Sequence, residues 1–142
     1  MINKIIDAIS IALFNEFGEG YKIYTDEVKQ GHSLPCFSIF CINPSRKHFF
    51  GKKYMNKNMF MILYFPSTTD APSYEINDIT ERLYGCLEYI EESGDLIRGM
   101  GMKCETIDGV LNFMVQYDLF TINTTEKAES MGELDGSATV KG

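Results

Sequence analysis

The sequence predicts an α+β domain, and three observations carry that prediction. Two apolar stripes of helical period stand well apart in the chain. Strand-like runs follow each stripe, and the last two runs flank a hairpin-turn dipeptide. In order, the elements read α-β-β-β-α-β-β over residues 1–122, a single domain, with residues 123–142 as a separate tail.

Ile2, Ile5, Ile6, Ile9, Leu13 and Phe17 recur at steps of three and four, which puts them on one face of a first helix that stops at Gly18 and Gly20. Residues 21–25 are short, β-prone and bounded by charge, so they predict a first strand, and Gly31 and Pro35 mark the loop after it. Residues 36–42 alternate Phe37, Ile39 and Cys41 against Ser38, Phe40 and Ile42, which predicts a second strand. Residues 59–65 are apolar on both parities, as expected of a strand buried on both faces or covered by a neighbouring subunit. Between these strands the spacing predicts a basic loop of about 15 residues, longer than an ordinary hairpin connection.

Pro66 ends the third strand, and a second helix follows with Ile76, Ile79, Leu83, Leu87 and Ile90 on one face. Glu75, Asp78, Glu81, Glu88, Glu91 and Glu92 decorate the remainder, and Gly94 stops it. Residues 96–107 and 111–122 then flank Asp108-Gly109, a pair suited to a tight hairpin turn because glycine takes positive φ at no steric cost. Gly99 and Gly101 predict a bulge or a close backbone approach within the first of these strands. From Glu126 the residues are small or charged, so the tail is expected to be flexible in an isolated subunit or ordered by a partner.

A chain of 142 residues with 44% hydrophobic content has enough apolar material for one core. Its apolar start is interrupted by Lys4, Asp7, Ser10, Asn15 and Glu16, which argues against a signal peptide or a membrane span. Cys36, Cys41, Cys86 and Cys104 form no C-x-x-C pair and read as reduced core cysteines of a cytosolic protein.

The pattern offers little chemistry. The α-β-β-β-α-β order resembles the core of the PD-(D/E)xK nucleases, and Glu27-Val28-Lys29 spells half of their signature. That site needs carboxylates on adjacent strands to hold a divalent cation, yet residues 36–42 and 59–65 contain neither Asp nor Glu. His32 and His48 stand in separate predicted loops without metal-ligand spacing, and no phosphate-binding glycine motif is present. No catalytic residue, metal or cofactor is therefore expected.

The net charge of −7 is unevenly spread. Residues 43–58 hold Arg46, Lys47, Lys52, Lys53 and Lys57 and no acid, with Phe49, Phe50 and Tyr54 interleaved. Cations beside rings suit nucleic acid, but the acidic remainder and the lack of a second basic element favour contact with an acidic protein surface, including another copy of this chain. Arg46, Lys47, Lys52, Lys53 and Tyr54 are the candidate contact residues, and the acidic face of the second helix is one candidate complement.

The residues Ile23-Tyr24-Thr25-Asp26-Glu27-Val28-Lys29-Gln30-Gly31, then Pro35-Cys36-Phe37, then Tyr64-Phe65-Pro66, resemble the small tail terminator proteins of phages and phage-derived tail particles in Gram-positive bacteria. The likeness runs over about residues 1–122, and its motifs are structural. It implies a mixed, mainly antiparallel sheet packed by two helices. It further implies a homohexameric ring on the head-proximal end of the tail tube, which stops tube growth and presents a joining surface. The implied partners are other copies, the tail tube protein, and the sheath and neck or connector proteins. Nucleic acid would at most pass through the lumen. The resemblance implies assembly in the bacterial cytoplasm and residence in a phage or a headless bacteriocin particle. Another neck or connector component is the alternative within the same particle.

Overall fold

The first helix, α1 (Ile2–Phe17), buries Ile5, Ala8, Ile9, Leu13 and Phe17, the face its apolar spacing predicts. It ends at Gly18, whose φ of 83° takes the left-handed region that glycine enters without steric cost, and the Gly18 N–H donates to Phe14 O at 2.8 Å. The structure is a computed structural model, and it describes residues 1–25, 34–67 and 72–122. Glu27-Val28-Lys29, His32 and the tail from residue 123 lie outside the described residues.

After α1 come β1 (Lys22–Tyr24), β2 (Cys36–Phe50), β3 (Lys53–Phe65), α2 (Ser73–Cys86), β4 (Tyr89–Glu92), β5 (Asp95–Ile107) and β6 (Val110–Ile122). The strands form one six-stranded sheet in the order β1-β2-β3-β6-β5-β4. β1 runs parallel to β2, pairing Lys22 with Cys36 and Tyr24 with Ser38, whereas β4 with β5 and β5 with β6 are antiparallel. The expected mixed, mainly antiparallel α+β architecture is thus what the chain adopts.

Packing divides the chain into two compact units. One comprises Met1–Pro44 with Lys57–Asp118, and the other Ser45–Asn56 with Leu119–Gly142, the latter described as far as residue 122. In the first unit, alternation along the strands sends Phe37, Ile39, Phe60, Ile62, Tyr64, Leu111, Phe113, Val115 and Tyr117 into the core. Phe37 lies 4.9 Å from Phe17 and 4.9 Å from Tyr64, so β2, β3 and α1 meet in an aromatic cluster. Tyr84 of α2 meets Phe113 of β6 edge-on at 5.3 Å. On the opposite parity, Phe40, Ile42, Met59, Met61, Leu63 and Met114 are only half-buried.

Two polar ties fix α2. Glu75 in its first turn accepts from Ser67 N–H at 2.9 Å and from the Tyr64 hydroxyl, so a carboxylate sits at the positive end of the helix. Burial first, and then Glu75, raise the Tyr64 pKa and keep that phenol protonated. Arg82 lies 4.3 Å over the Phe17 ring, pairs with the Glu16 carboxylate at 2.9 Å and donates to Glu16 O at 2.8 Å. A cation at the last turn of α1 complements its exposed carbonyls.

Four expectations need correction. The second helix ends at Cys86, not near Glu92, and residues 89–92 form β4, which pairs Tyr89 with Arg98 and Glu92 with Asp95. A hairpin explains this. Ser93 and Gly94 both take positive φ, 54° and 85°, which turns the chain back as β5. Leu87 O accepts the Tyr117 hydroxyl at 2.6 Å, and Glu88 O accepts Gly99 N–H at 2.7 Å, so these carbonyls serve the sheet. A Cβ on Gly99 would lie 2.6 Å from Leu87 O, which is why glycine stands there. The register shift between Met100 and Lys103 is the bulge that Gly99 and Gly101 predict.

Second, Glu88, Glu91 and Glu92 consequently do not belong to a helix face. Third, Cys104 is exposed on β5 beyond the bulge, with its Sγ 3.6 Å from Tyr84 Oη, so it is not a core cysteine. Cys36 is buried and Cys41 half-buried, and burial pushes both thiols up. Cys86 is held up to about 12, mainly by burial. The fourth correction concerns the basic segment and defines the candidate site.

Candidate assembly interface

The basic segment is not a loop. β2 continues to Phe50 and β3 begins at Lys53, leaving Gly51 and Lys52 as the turn, with Gly51 at φ 57°. Asn43 (φ 48°) and Pro44 look like a strand end in the sequence, but a left-handed Asn and a proline are both tolerated in an edge strand, where a missing N–H breaks no ladder. β1 pairs only with Cys36, Phe37 and Ser38, so from residue 39 onward β2 has no strand on that side among the described residues.

The second unit is therefore an arm of the ends of β2 and β6 and the start of β3. Its organiser is Asn56, a 2% exposed side chain. Asn56 Oδ1 accepts from Arg46 Nε at 2.7 Å, and Nδ2 donates to Thr121 Oγ1 at 2.8 Å and to Leu119 O at 3.3 Å. One amide thus ties three strands and leaves no polar atom of its own stranded. On the same side Arg46 lies 5.6 Å over Tyr54, whose ring is 5.3 Å from His48, and His48 Nε2 is 2.6 Å from Gly51 O.

The other side is aromatic. Phe49 meets Phe120 edge-on at 5.3 Å, and Lys53 Nζ lies 4.6 Å from the Phe120 centroid and 5.7 Å from that of Phe49. Each such contact contributes roughly 0.5–1 kcal/mol at an exposed site. Phe49 and Phe50 remain 56% and 66% exposed.

The five candidate residues therefore stand on one hairpin, Arg46 and Lys47 on β2, Lys52 in the turn, and Lys53 and Tyr54 on β3, but play different parts. Arg46, Tyr54 and Lys53 make the contacts given above within the arm, and Lys47 and Lys52 are exposed side chains at its edge and tip. Sequence reading missed Asn56, Phe120 and Thr121, because their roles depend on pairing of residues far apart in the chain. Arg46, Lys47, Lys52 and Lys53 thus combine cationic groups with exposed rings on a supported hairpin, an arrangement suited to binding an acidic, partly apolar surface.

The extended strands keep the carboxylate count that argued against a nuclease, since neither Cys36–Phe50 nor Lys53–Phe65 contains Asp or Glu. No group of three or more His, Cys, Asp or Glu side chains able to hold a metal ion occurs among the described residues. No described helix is long and apolar enough to cross a membrane.

A family model described as phage tail terminator protein matches residues 4–129. No curated protein matches the sequence. Among solved structures, the chain is similar to the PVC sheath/tube terminator of an extracellular contractile injection system in its extended state. The two are 12% identical with a TM-score of 0.51, the match covering 99% of this chain and 66% of that one, which is a likeness of fold. A second solved structure, 7% identical over 86% of this chain and 98% of its own, has a TM-score of 0.38, too low to bear on the argument.

Proposed function

This chain belongs to the phage tail terminator family, and on that premise we propose that it caps one end of a tail tube, stops its polymerisation and presents a joining surface. The match over residues 4–129 carries the reading. In this proposal, copies of the chain associate as a ring, a homohexamer, on the head-proximal end of the tube, and the same ring meets the sheath and the neck or connector. The solved relative named as a sheath/tube terminator supports contact with both tube and sheath. The protein acts as a structural part of the particle, assembled in the bacterial cytoplasm.

Two features suit that role physically. Stopping a polymer requires a surface that fits its last ring and another that does not reproduce the growing face. Among the described residues, the side of β2 from residue 39 and the side of β5 beyond Gly99 carry no strand partner and are edges open to pairing. Arg46, Lys47, Lys52, Lys53 and Tyr54 of the arm supply the charged contacts, either to a neighbouring copy or to the tube. Pro44 and the kink at Asn43 keep one edge from extending as a flat template.

The test is tube elongation. Cognate tube protein is polymerised alone and with the chain added at substoichiometric amounts, and lengths are measured by negative-stain microscopy. The reading expects shorter tubes of narrower length distribution, and unchanged lengths at saturating chain would overturn it.

A further inference from the structure

On the first unit, α1 and the β4–β5 hairpin enclose a groove of about 500 Å³, lined among others by Ala8, Ile11, Ala12, Tyr89 and Leu96. That volume is within the roughly 300–1,000 Å³ of sites that bury a compact apolar group. Three of the lining side chains are at least half exposed: Ile11 59%, Tyr89 50% and Leu96 71%. A cluster of large exposed apolar side chains around a concavity is uncommon on a soluble chain that stays alone.

The charge around the groove decides what fits it. Glu91 lines it, and Glu88, Glu92 and Asp95 stand on the same short hairpin segment, against Arg98, which is cross-strand from Tyr89, and Lys4, one turn before Ala8. The occupant must therefore bring an apolar or aromatic tip flanked by cations. The arm of this chain has that composition: Phe49 and Phe50 exposed at its end, with Lys47 and Lys52 beside them.

We infer that the groove between α1 and β4–β5 is the receptor for the arm tip of a neighbouring copy. Phe50 enters between Ile11 and Leu96, and Lys52 faces Glu91. Because the donor and acceptor are different surfaces, the contact is head-to-tail, the kind that generates a closed ring when the rotation closes. Its position differs from the face of the second helix that the sequence suggests as complement, because Glu88, Glu91 and Glu92 lie on and beside β4. The inference rests on the proposal that copies associate, and it adds which surfaces meet.

The experiment uses the full chain with Cys104→Ser, which removes the exposed thiol. Phe50→Cys is placed in one preparation and Leu96→Cys in another, and each is oxidised alone and mixed, free and on tail tubes. The inference expects a disulfide-linked dimer in the mixture at least about tenfold above either preparation alone. A second arm guards against loss of docking through Phe50 itself: Lys52→Glu and Glu91→Lys each weaken self-association by about tenfold, a typical loss for one interfacial charge pair. Combined in one chain, the two reversals restore it to within about threefold. Absence of both the mixed cross-link and the rescue, in a chain that still shortens tubes, overturns this docking and leaves the terminator reading intact. A mixed cross-link in a chain that never alters tube length supports the docking and counts against the terminator reading.

Discussion

The helix-packed body and the arm use the same residue types to opposite ends. In the body, Phe37, Phe60 and Phe113 are fully buried, and the two buried phenols are tied off, Tyr117 by Leu87 O and Tyr64 by Glu75, while Ser10 Oγ and Asn58 Nδ2 are buried without a partner among the described residues. In the arm, Phe49 and Phe120 stay about half exposed beside the Lys53 ammonium, and Phe50, packed against Phe49, is 66% exposed. One region covers its rings. The other is tied across its three strands by the Asn56 amide, with the Arg46–Tyr54 and Lys53–Phe120 contacts on either side, and leaves its rings largely uncovered. That difference teaches where an assembly surface is to be sought: where rings are held in place by polar ties but not covered.

The largest break in this comparison comes from the body. Phe37→Ala removes the ring shared by Phe17, Tyr21 and Tyr64 and should cost about 3–5 kcal/mol of folding stability, read as a shift in the urea midpoint. Next is Asn56→Ala, which strands the groups that Arg46, Leu119 and Thr121 now present to it. It should cost about 1–3 kcal/mol, with amide exchange accelerated in the arm and unchanged in α1. Arg82→Ala breaks a pair that is about one-third exposed on both sides, so its loss should be at most about 1 kcal/mol in thermal unfolding. Smallest is Phe50→Ser, expected within about 0.5 kcal/mol of the parent because the ring is uncovered. That variant sharpens the comparison if stability is untouched while self-association is lost, and breaks it if the chain unfolds.

Much of the body could be read from the sequence because its signals are local. The stripe from Ile5 to Phe17 and the Asp108-Gly109 turn, with φ of 52° and 78°, follow from side-chain period and backbone preference alone. β4 could not be read this way. The step from Leu87 to Ile90 fits a helix face as well as a turn into a buried strand position, and only the cross-strand partners of Tyr89 and Glu92 decide between them. The arm was legible as a basic, aromatic segment but not as a hairpin, since Asn43-Pro44 and Gly51 look like chain breaks until an unpaired edge makes them tolerable. Asn56 was invisible, because its partners on β6 lie more than sixty residues away.

The central claim is that this chain sits at the end of a tube, and the most direct measurement is where it sits. Tail tubes assembled with a chain carrying a compact electron-dense label should show label at one end of each tube and none along the shaft. Label distributed along the shaft, or absent from both ends at saturating chain, would contradict the account.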